Sequence, residues 1–527
     1  MNKDLLKKAG RMIVAGIDGT TVGEHARFCG KELFIGNWIL FMRNISSPPQ
    51  VKELNEELRS LTRGNNGMEP FISIDQEGGI VSRLHGEMNI YPGAMACGAA
   101  GEGHAAGTAR IMAEHLHRMG FNMNLAPVAD INSNPLNPIV GPRSYGDIPE
   151  AVADQILELC RVHMDSGIIP VLKHFPGHGD TGVDSHLELP TLHLTREELE
   201  HRELIPFIRA IAEDVPAIMV AHMSIPSLDD TGTPSSLSEK IISGFLRESL
   251  GFRGLVLTDC LEMEGIQSCC TTGEAVVKAV TAGADLLYIS HRAEEQEKGV
   301  KALYDQLVSG KIPESRINES LRRMEKYKTQ YFQEEKQSSP LSAGWTDEDK
   351  NSLRETSRRS LTVLKDRGFL KPSALRNNPR FLILHLRRPE QFIGENTVAG
   401  GDPAQILKKA FPKAVFRTMK PEDIKKEISK APIRAEEWEK ILIVCSDLFR
   451  FAEAMDFVRN LLKSETSCAV AVMRTPYEGG EFTRADALIL TYEDTPSAYT
   501  SLAEFLNGEF TARGVCPVKI PGLESLQ

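Results

Sequence analysis

The sequence predicts an α/β protein, a (β/α)8 barrel followed by a smaller parallel α/β sandwich, and three observations predict it. Short apolar runs alternate with longer amphipathic stretches from the N-terminus onward, which is the rhythm of βα units. Eight such runs precede a polar stretch at 331–350, and eight strands close a parallel barrel of roughly 330 residues with insertions. Four more runs with helical stretches between them follow, as in a small open parallel sheet. Spacing alone leaves an open doubly wound sheet as the alternative for the first part.

In chain order the predicted strands are 12–17 (MIVAGI), 37–42 (NWILFM), 70–74 (PFISI), 122–128 (NMNLAPV), 168–172 (IIPVL), 217–221 (AIMVA), 254–258 (GLVLT) and 284–289 (ADLLYI). Each is an apolar run of strand length that tends to end in polar residues or glycine. Helices are predicted over 50–63, 104–119, 149–165, 196–212, 238–250 and 273–281. The first domain is then 1–335, with a linker over 336–350 (part of the Ser- and Pro-bearing polar stretch) and a second domain over 351–527. A helix over 348–361 leads into strands at 380–386, 440–445, 468–473 and 486–491.

At 527 residues, with 41% hydrophobic and 25% charged residues, the chain is an ordinary globular protein of two or three domains rather than a disordered or fibrous one. Its 61 basic and 72 acidic residues leave a net charge of −11, so no basic field gathers nucleic acid. The cysteines (29, 97, 160, 260, 269, 270, 445, 468 and 516) are odd in number, scattered and without a Cys-x-x-Cys pair, against a disulfide framework or a thiolate zinc site. The apolar stretch Met12–Ile17 stops at Asp18, too short for a signal-peptide core, and no run approaches the ~20 apolar residues of a membrane helix. The expectation is a cytoplasmic protein with neither nucleic acid nor membrane as partner, and no feature of the sequence sets an oligomeric state.

A barrel carries its chemistry where strand C-termini meet the following loops. Here the predicted strands run into Asp75-Gln76-Glu77-Gly78-Gly79, Lys173-His174, His222 and Asp259. The densest stretch is 173–186, KHFPGHGDTGVDSH, whose histidines and aspartates sit on a loop broken by Pro176, Gly177, Gly179 and Gly182. Three readings compete for it. Histidine and carboxylate suit zinc, but no recognised ligand spacing is present, so an acid/base site ranks ahead of a metal site and a solvated loop comes third. In Asp184-Ser185-His186, residues two apart in an extended turn can point to one side. A carboxylate there would hold one imidazole nitrogen and leave the other to deliver and recover a proton.

The segment Lys173-His174-Phe175-Pro176-Gly177-His178-Gly179 with Asp184-Ser185-His186 resembles the signature of β-N-acetylglucosaminidases of glycoside hydrolase family 3. The resemblance extends through Asp75-Gln76-Glu77-Gly78-Gly79 with Arg83, Asn124-Leu125-Ala126-Pro127-Val128-Ala129-Asp130, Gly141-Pro142-Arg143-Ser144-Tyr145-Gly146 and Thr258-Asp259-Cys260-Leu261-Glu262-Met263, over about residues 10–330. It implies Asp259 as nucleophile, His186 as general acid/base with Asp184 as its partner, and Asp75, Arg83, Arg143, Lys173 and His174 as ligands of the N-acetylglucosamine ring. Four of these have a plainer alternative: Asp259 as a helix N-cap, Arg83 and Arg143 as exposed ion pairs, His174 as a satisfied core histidine. His178, Asp180, Asp130 and His222 read as groups that shape loops. The second domain matches only loosely, through Ser360–Lys365 and Arg513–Val518.

The activity so implied is that of a retaining exo-β-N-acetylglucosaminidase acting through a glycosyl-aspartate, without metal or organic cofactor, in cell-wall muropeptide recycling. A β-N-acetylglucosaminide phosphorylase of the same family is the first alternative, a metal-dependent hydrolase on the same barrel the second, and a non-catalytic sugar-binding protein the third. Since every implied participant precedes residue 260, a chain ending near residue 340 is expected to keep weak activity where it folds.

Overall fold

The computed structural model describes residues 2–88, 90–182, 189–332, 345–386 and 403–523. The chain divides into two compact units, one of Met1–Glu77, Ala109–Val140 and Pro149–Trp345, the other of Gly78–Thr108, Gly141–Ile148 and Thr346–Gln527.

The first unit holds eight parallel strands: β1 (Ile13–Gly16), β2 (Asn37–Leu40), β3 (Ile72–Ile74), β4 (Met123–Asn124), β5 (Ile169–Phe175), β6 (Ala217–Val220), β7 (Leu255–Thr258) and β8 (Leu287–Ile289). The sheet runs β8-β1-β2-β3-β4-β5-β6-β7. It closes because the Asp285 N–H donates to the Val256 carbonyl at 2.8 Å and the Thr258 N–H to the Leu286 carbonyl at 3.0 Å. The eight strands are buried along their whole length, which is why each reads as an apolar run with little alternation. The open-sheet alternative is thereby removed.

Two elements differ from expectation for local reasons. Regular pairing of β4 stops at Asn124, and Pro127 has no N–H to continue it. Strand β5 instead runs three residues beyond its predicted end, since Lys173 bridges to Val128 and Phe175 pairs with Val220. Lys173 and His174 are therefore strand residues rather than loop residues. The single helix expected at 196–212 is two, Arg196–His201 and Ile205–Ala212, because Pro206 can neither donate to nor clear the carbonyl of Arg202.

The second unit is a six-stranded sheet of β9 (Thr362–Asp366), β10 (Phe381–Leu386), β11 (Val415–Met419), β12 (Lys440–Cys445), β13 (Ser467–Val472) and β14 (Ala487–Leu490), in the order β9-β14-β13-β12-β10-β11. All pairs are parallel except β9 with β14. Both faces are covered: Leu382, Leu384, Ile441 and Val470 pack on one side, Phe381, Ile383, Leu442 and Ala469 on the other. Strands β9 and β11 escape the sequence reading because they lie at the edges and keep only part of their residues buried, so they carry no apolar run.

Two stretches that precede residue 336 pack within this second unit. Met95, Ala96 and Ala99 of helix Ala94–Ala100 join the core formed by Leu382, Ile443 and Val472. The Asp147 N–H donates to the Pro517 carbonyl at 3.2 Å, and the Asp147 carboxylate accepts from the Lys519 N–H at 2.7 Å. Arg83 and Arg143 sit on these stretches. A chain cut near residue 340 thus loses the partners that hold both arginine-bearing segments, which removes the basis for expecting activity from it.

Candidate active site

Strand β5 turns Lys173 into a site where two carboxylates meet it. Its ammonium lies 2.7 Å from Asp75 Oδ1 and 2.7 Å from Glu77 Oε1, and its side chain is 3% exposed. Burying one cation is costly unless it is paired and hydrogen-bonded, and two charge-assisted bonds meet that cost. Asp75, with 16% of its side chain exposed against 5% for Glu77, is the member of the trio that opens toward solvent. Sequence reading gave Glu77 no role. The signal was present, since residues two apart in extended backbone point to one side.

His174 presses its ring against Asp130, with Nδ1 2.7 Å from Oδ2. The other Asp130 oxygen accepts from the backbone N–H of His174 at 3.1 Å and of His178 at 2.7 Å. Burial alone would raise the Asp130 carboxyl, but the charge of His174 and these hydrogen bonds outweigh it and hold the group below its ordinary range. Because a carboxylate only accepts, Nδ1 of His174 carries the hydrogen. One fully buried aspartate thus orients His174 and ties down the start of the following loop. His178 bonds Thr181 Oγ1 through Nδ1 at 2.7 Å, and Asn137 Nδ2 donates to the carbonyls of His178 and Gly179 at 2.8 and 2.9 Å. A Cβ on Gly179 would fall 1.7 Å from the Ile131 carbonyl oxygen, so only glycine fits there.

Asp259 follows β7 and is half-buried. Its N–H donates to the Val220 carbonyl at 3.2 Å, and its Oδ1 accepts the Cys260 N–H at 2.7 Å. The next helix starts at Glu264 with Met263 at its N-cap, so Asp259 caps no helix. The turn is held from below by buried His222, whose Nε2 donates to the Cys260 carbonyl at 2.9 Å while Nδ1 accepts from Ser236 Oγ at 2.7 Å.

The first unit thus places Asp75, Lys173, His174 and Asp259 at the carboxyl ends of β3, β5 and β7. Arg83 and Arg143 are half-buried residues of the second unit. Asp184 and His186 lie outside the described residues. Among the described residues no group of three or more histidine, cysteine, aspartate or glutamate side chains is arranged to hold a metal ion.

Residues 9–326 match the glycosyl hydrolase family 3 N-terminal domain. The chain belongs to this family. Beta-hexosaminidase A of Pseudoalteromonas piscicida is 34% identical over 318 residues, 56% of this chain and 53% of that protein. The chain therefore spans about half the length of that relative. A beta-hexosaminidase of Methylococcus capsulatus is 33% identical over 278 residues, 52% of this chain and 81% of that protein. The solved structure of a glycoside hydrolase family 3 beta-N-acetylglucosaminidase from Paenibacillus sp. str. FPU-7 is 35% identical, with a TM-score of 0.91 over 98% of this chain and 99% of the other.

Beneath the 176–182 loop of this family 3 chain lies Glu203, fully buried. Oε1 accepts from Ser133 Oγ and Arg202 Nε, each at 2.8 Å. Oε2 has no hydrogen-bond partner among the described residues and faces Gly177 and Gly179. Burial pushes its carboxyl up to about 7, against the pull of Arg202 and Ser133. A carboxyl raised in the fold favours the folded state while protonated, so this contribution is full below about pH 4.5 and is lost as pH climbs to about 7. Glu203→Gln is therefore expected to gain stability relative to the parent between pH 5 and pH 8, by about 2 to 3 kcal/mol. Thermal unfolding of both proteins at the two pH values measures it. An equal difference at both values would show that Glu203 is ionised in the fold.

Proposed function

We propose that the protein is a retaining exo-β-N-acetylglucosaminidase that releases terminal N-acetylglucosamine through a covalent glycosyl-aspartate on Asp259. The observation that carries this reading is Asp259 at the carboxyl end of β7, on the barrel whose β3 and β5 ends pair Lys173 with Asp75 and Glu77. In the first step a carboxylate oxygen of Asp259 attacks the anomeric carbon, the bond to the leaving oxygen breaks, and His186 gives that oxygen a proton. The Cys260 N–H on Oδ1 fixes the direction of the carboxylate. In the second step His186 takes a proton from water as the water oxygen attacks the anomeric carbon, and Asp259 leaves as carboxylate. Asp184 holds the imidazole in the tautomer that both steps need.

Asp75, Lys173 and His174 are the sugar-ring ligands proposed in the first unit; Arg83 and Arg143, whose cationic donors suit hydroxyls and an amide carbonyl, are those the sequence resemblance adds. No metal or organic cofactor enters either step. The whole-length likeness to a family 3 beta-N-acetylglucosaminidase supports the sugar specificity. Among the described residues no helix is long and apolar enough to cross a membrane, and cytoplasmic recycling of muropeptides is the setting proposed.

The test is an aryl β-N-acetylglucosaminide incubated with and without inorganic phosphate. Free N-acetylglucosamine, first formed as the β anomer, is expected under both conditions. Dominant sugar 1-phosphate, with turnover that rises with phosphate, would make the enzyme a phosphorylase. In the same assay His186→Ala should cost substrates with poor leaving groups roughly 10²-fold more than activated aryl glycosides, since a good leaving group needs little protonation.

A further inference from the structure

We infer that Asn124 is a positioning residue for sugar binding: its amide, oriented by His163, locks the peptide of Gln76 and so sets Asp75 and Glu77 around Lys173. The inference rests on the reading of Asp75 and Lys173 as sugar ligands. Asn124 ends β4 and is fully buried. Its Oδ1 accepts the Gln76 N–H at 3.0 Å and its Nδ2 donates to the Gln76 carbonyl at 2.9 Å. The two bonds grip both sides of the one residue that separates the carboxylates on Lys173. The backbone that carries Asp75 and Glu77 cannot shift without straining this grip.

His163 favours the same orientation of the amide as the Gln76 backbone. Its Nδ1 lies 2.9 Å from the Leu159 carbonyl and its Nε2 lies 3.2 Å from Asn124 Nδ2. A carbonyl only accepts, so Nδ1 carries the hydrogen and Nε2 accepts from the amide. The pattern exists only for the neutral ring. Burial holds His163 down at about 4, opposed by its hydrogen bond to the Leu159 carbonyl. Met112 Sδ, 3.7 Å from Asn124 Nδ2, is uncharged, and Gln76 is flanked in the chain by Asp75 and Glu77, both paired with Lys173.

The decisive variant is Asn124→Asp, which keeps shape and the bond from the Gln76 N–H but turns the donor into an acceptor facing two acceptors. At pH 7.5 its kcat/KM is expected to fall about 100-fold, mostly through KM. On acidification toward pH 5.5 it should recover at least about tenfold relative to the parent, because a proton on His163 or on the new carboxyl restores a donor. A side chain that only filled space would give two parallel pH profiles, and that result would overturn the inference. Should the variant not fold, His163 decides the matter. His163→Gln, which can both accept from Asn124 and donate to Leu159, should keep KM within about threefold of the parent, while His163→Phe should raise it tenfold or more. Equal KM values for these two would equally overturn it. Failure of the sugar-binding reading shows separately, as a parent protein inactive on β-N-acetylglucosaminides.

Discussion

Asp259→Asn is expected to lower turnover by about four orders of magnitude or more, with thermal unfolding unchanged. The carboxamide keeps the shape of the side chain, and its oxygen still accepts the Cys260 N–H that holds Oδ1 at 2.7 Å, so the turn after β7 is preserved. What is lost is the charge and the lone pair that attack the anomeric carbon. A drop of that size is worth roughly 5 kcal/mol of transition-state stabilisation, more than a lost binding contact supplies. A 2-fluoro glycoside with an activated leaving group should label the parent protein at residue 259. Peptide mapping that found the label on another residue, or a variant with more than a hundredth of parental turnover, would remove Asp259 from the role of nucleophile.

Lys173→Met is expected to cost about 3 to 5 kcal/mol of stability and to raise KM steeply. It removes an ammonium that lies 2.7 Å from both Asp75 and Glu77 and so takes a charge-assisted bond from each of two largely buried carboxylates. Adding Asp75→Asn to that variant should recover part of the loss, since one of the two carboxylates that lost the ammonium is then neutral. Urea unfolding of the two single variants and the double variant measures the coupling, which should exceed 1 kcal/mol. Simple additivity would mean that Lys173 and Asp75 act independently, contrary to the contact between them.

By itself the sequence determined the class of fold and the rim residues of the barrel. Eight buried parallel strands must each be a short, mostly apolar run, and the end of such a run is visible in the chain as the first charged side chain, as with Ile74 before Asp75 and Thr258 before Asp259. What only the tertiary structure decided depends on partners remote in sequence. Closure of the barrel rests on the backbone bonds between β7 and β8, which leave no local trace. The reach of β5 through Lys173 and His174 follows from pairing with residues 128 and 220, although the Phe175-Pro176 step reads locally as a loop. Edge strands β9 and β11 stay hidden because a strand paired on one side need not bury every residue. The packing of the segments bearing Arg83 and Arg143 with strands from the C-terminal third, the ion pair of Lys173 with Asp75 across 98 residues, and the grip of Asn124 on Gln76 come from burial, which brings polar groups together and obliges each to find a partner.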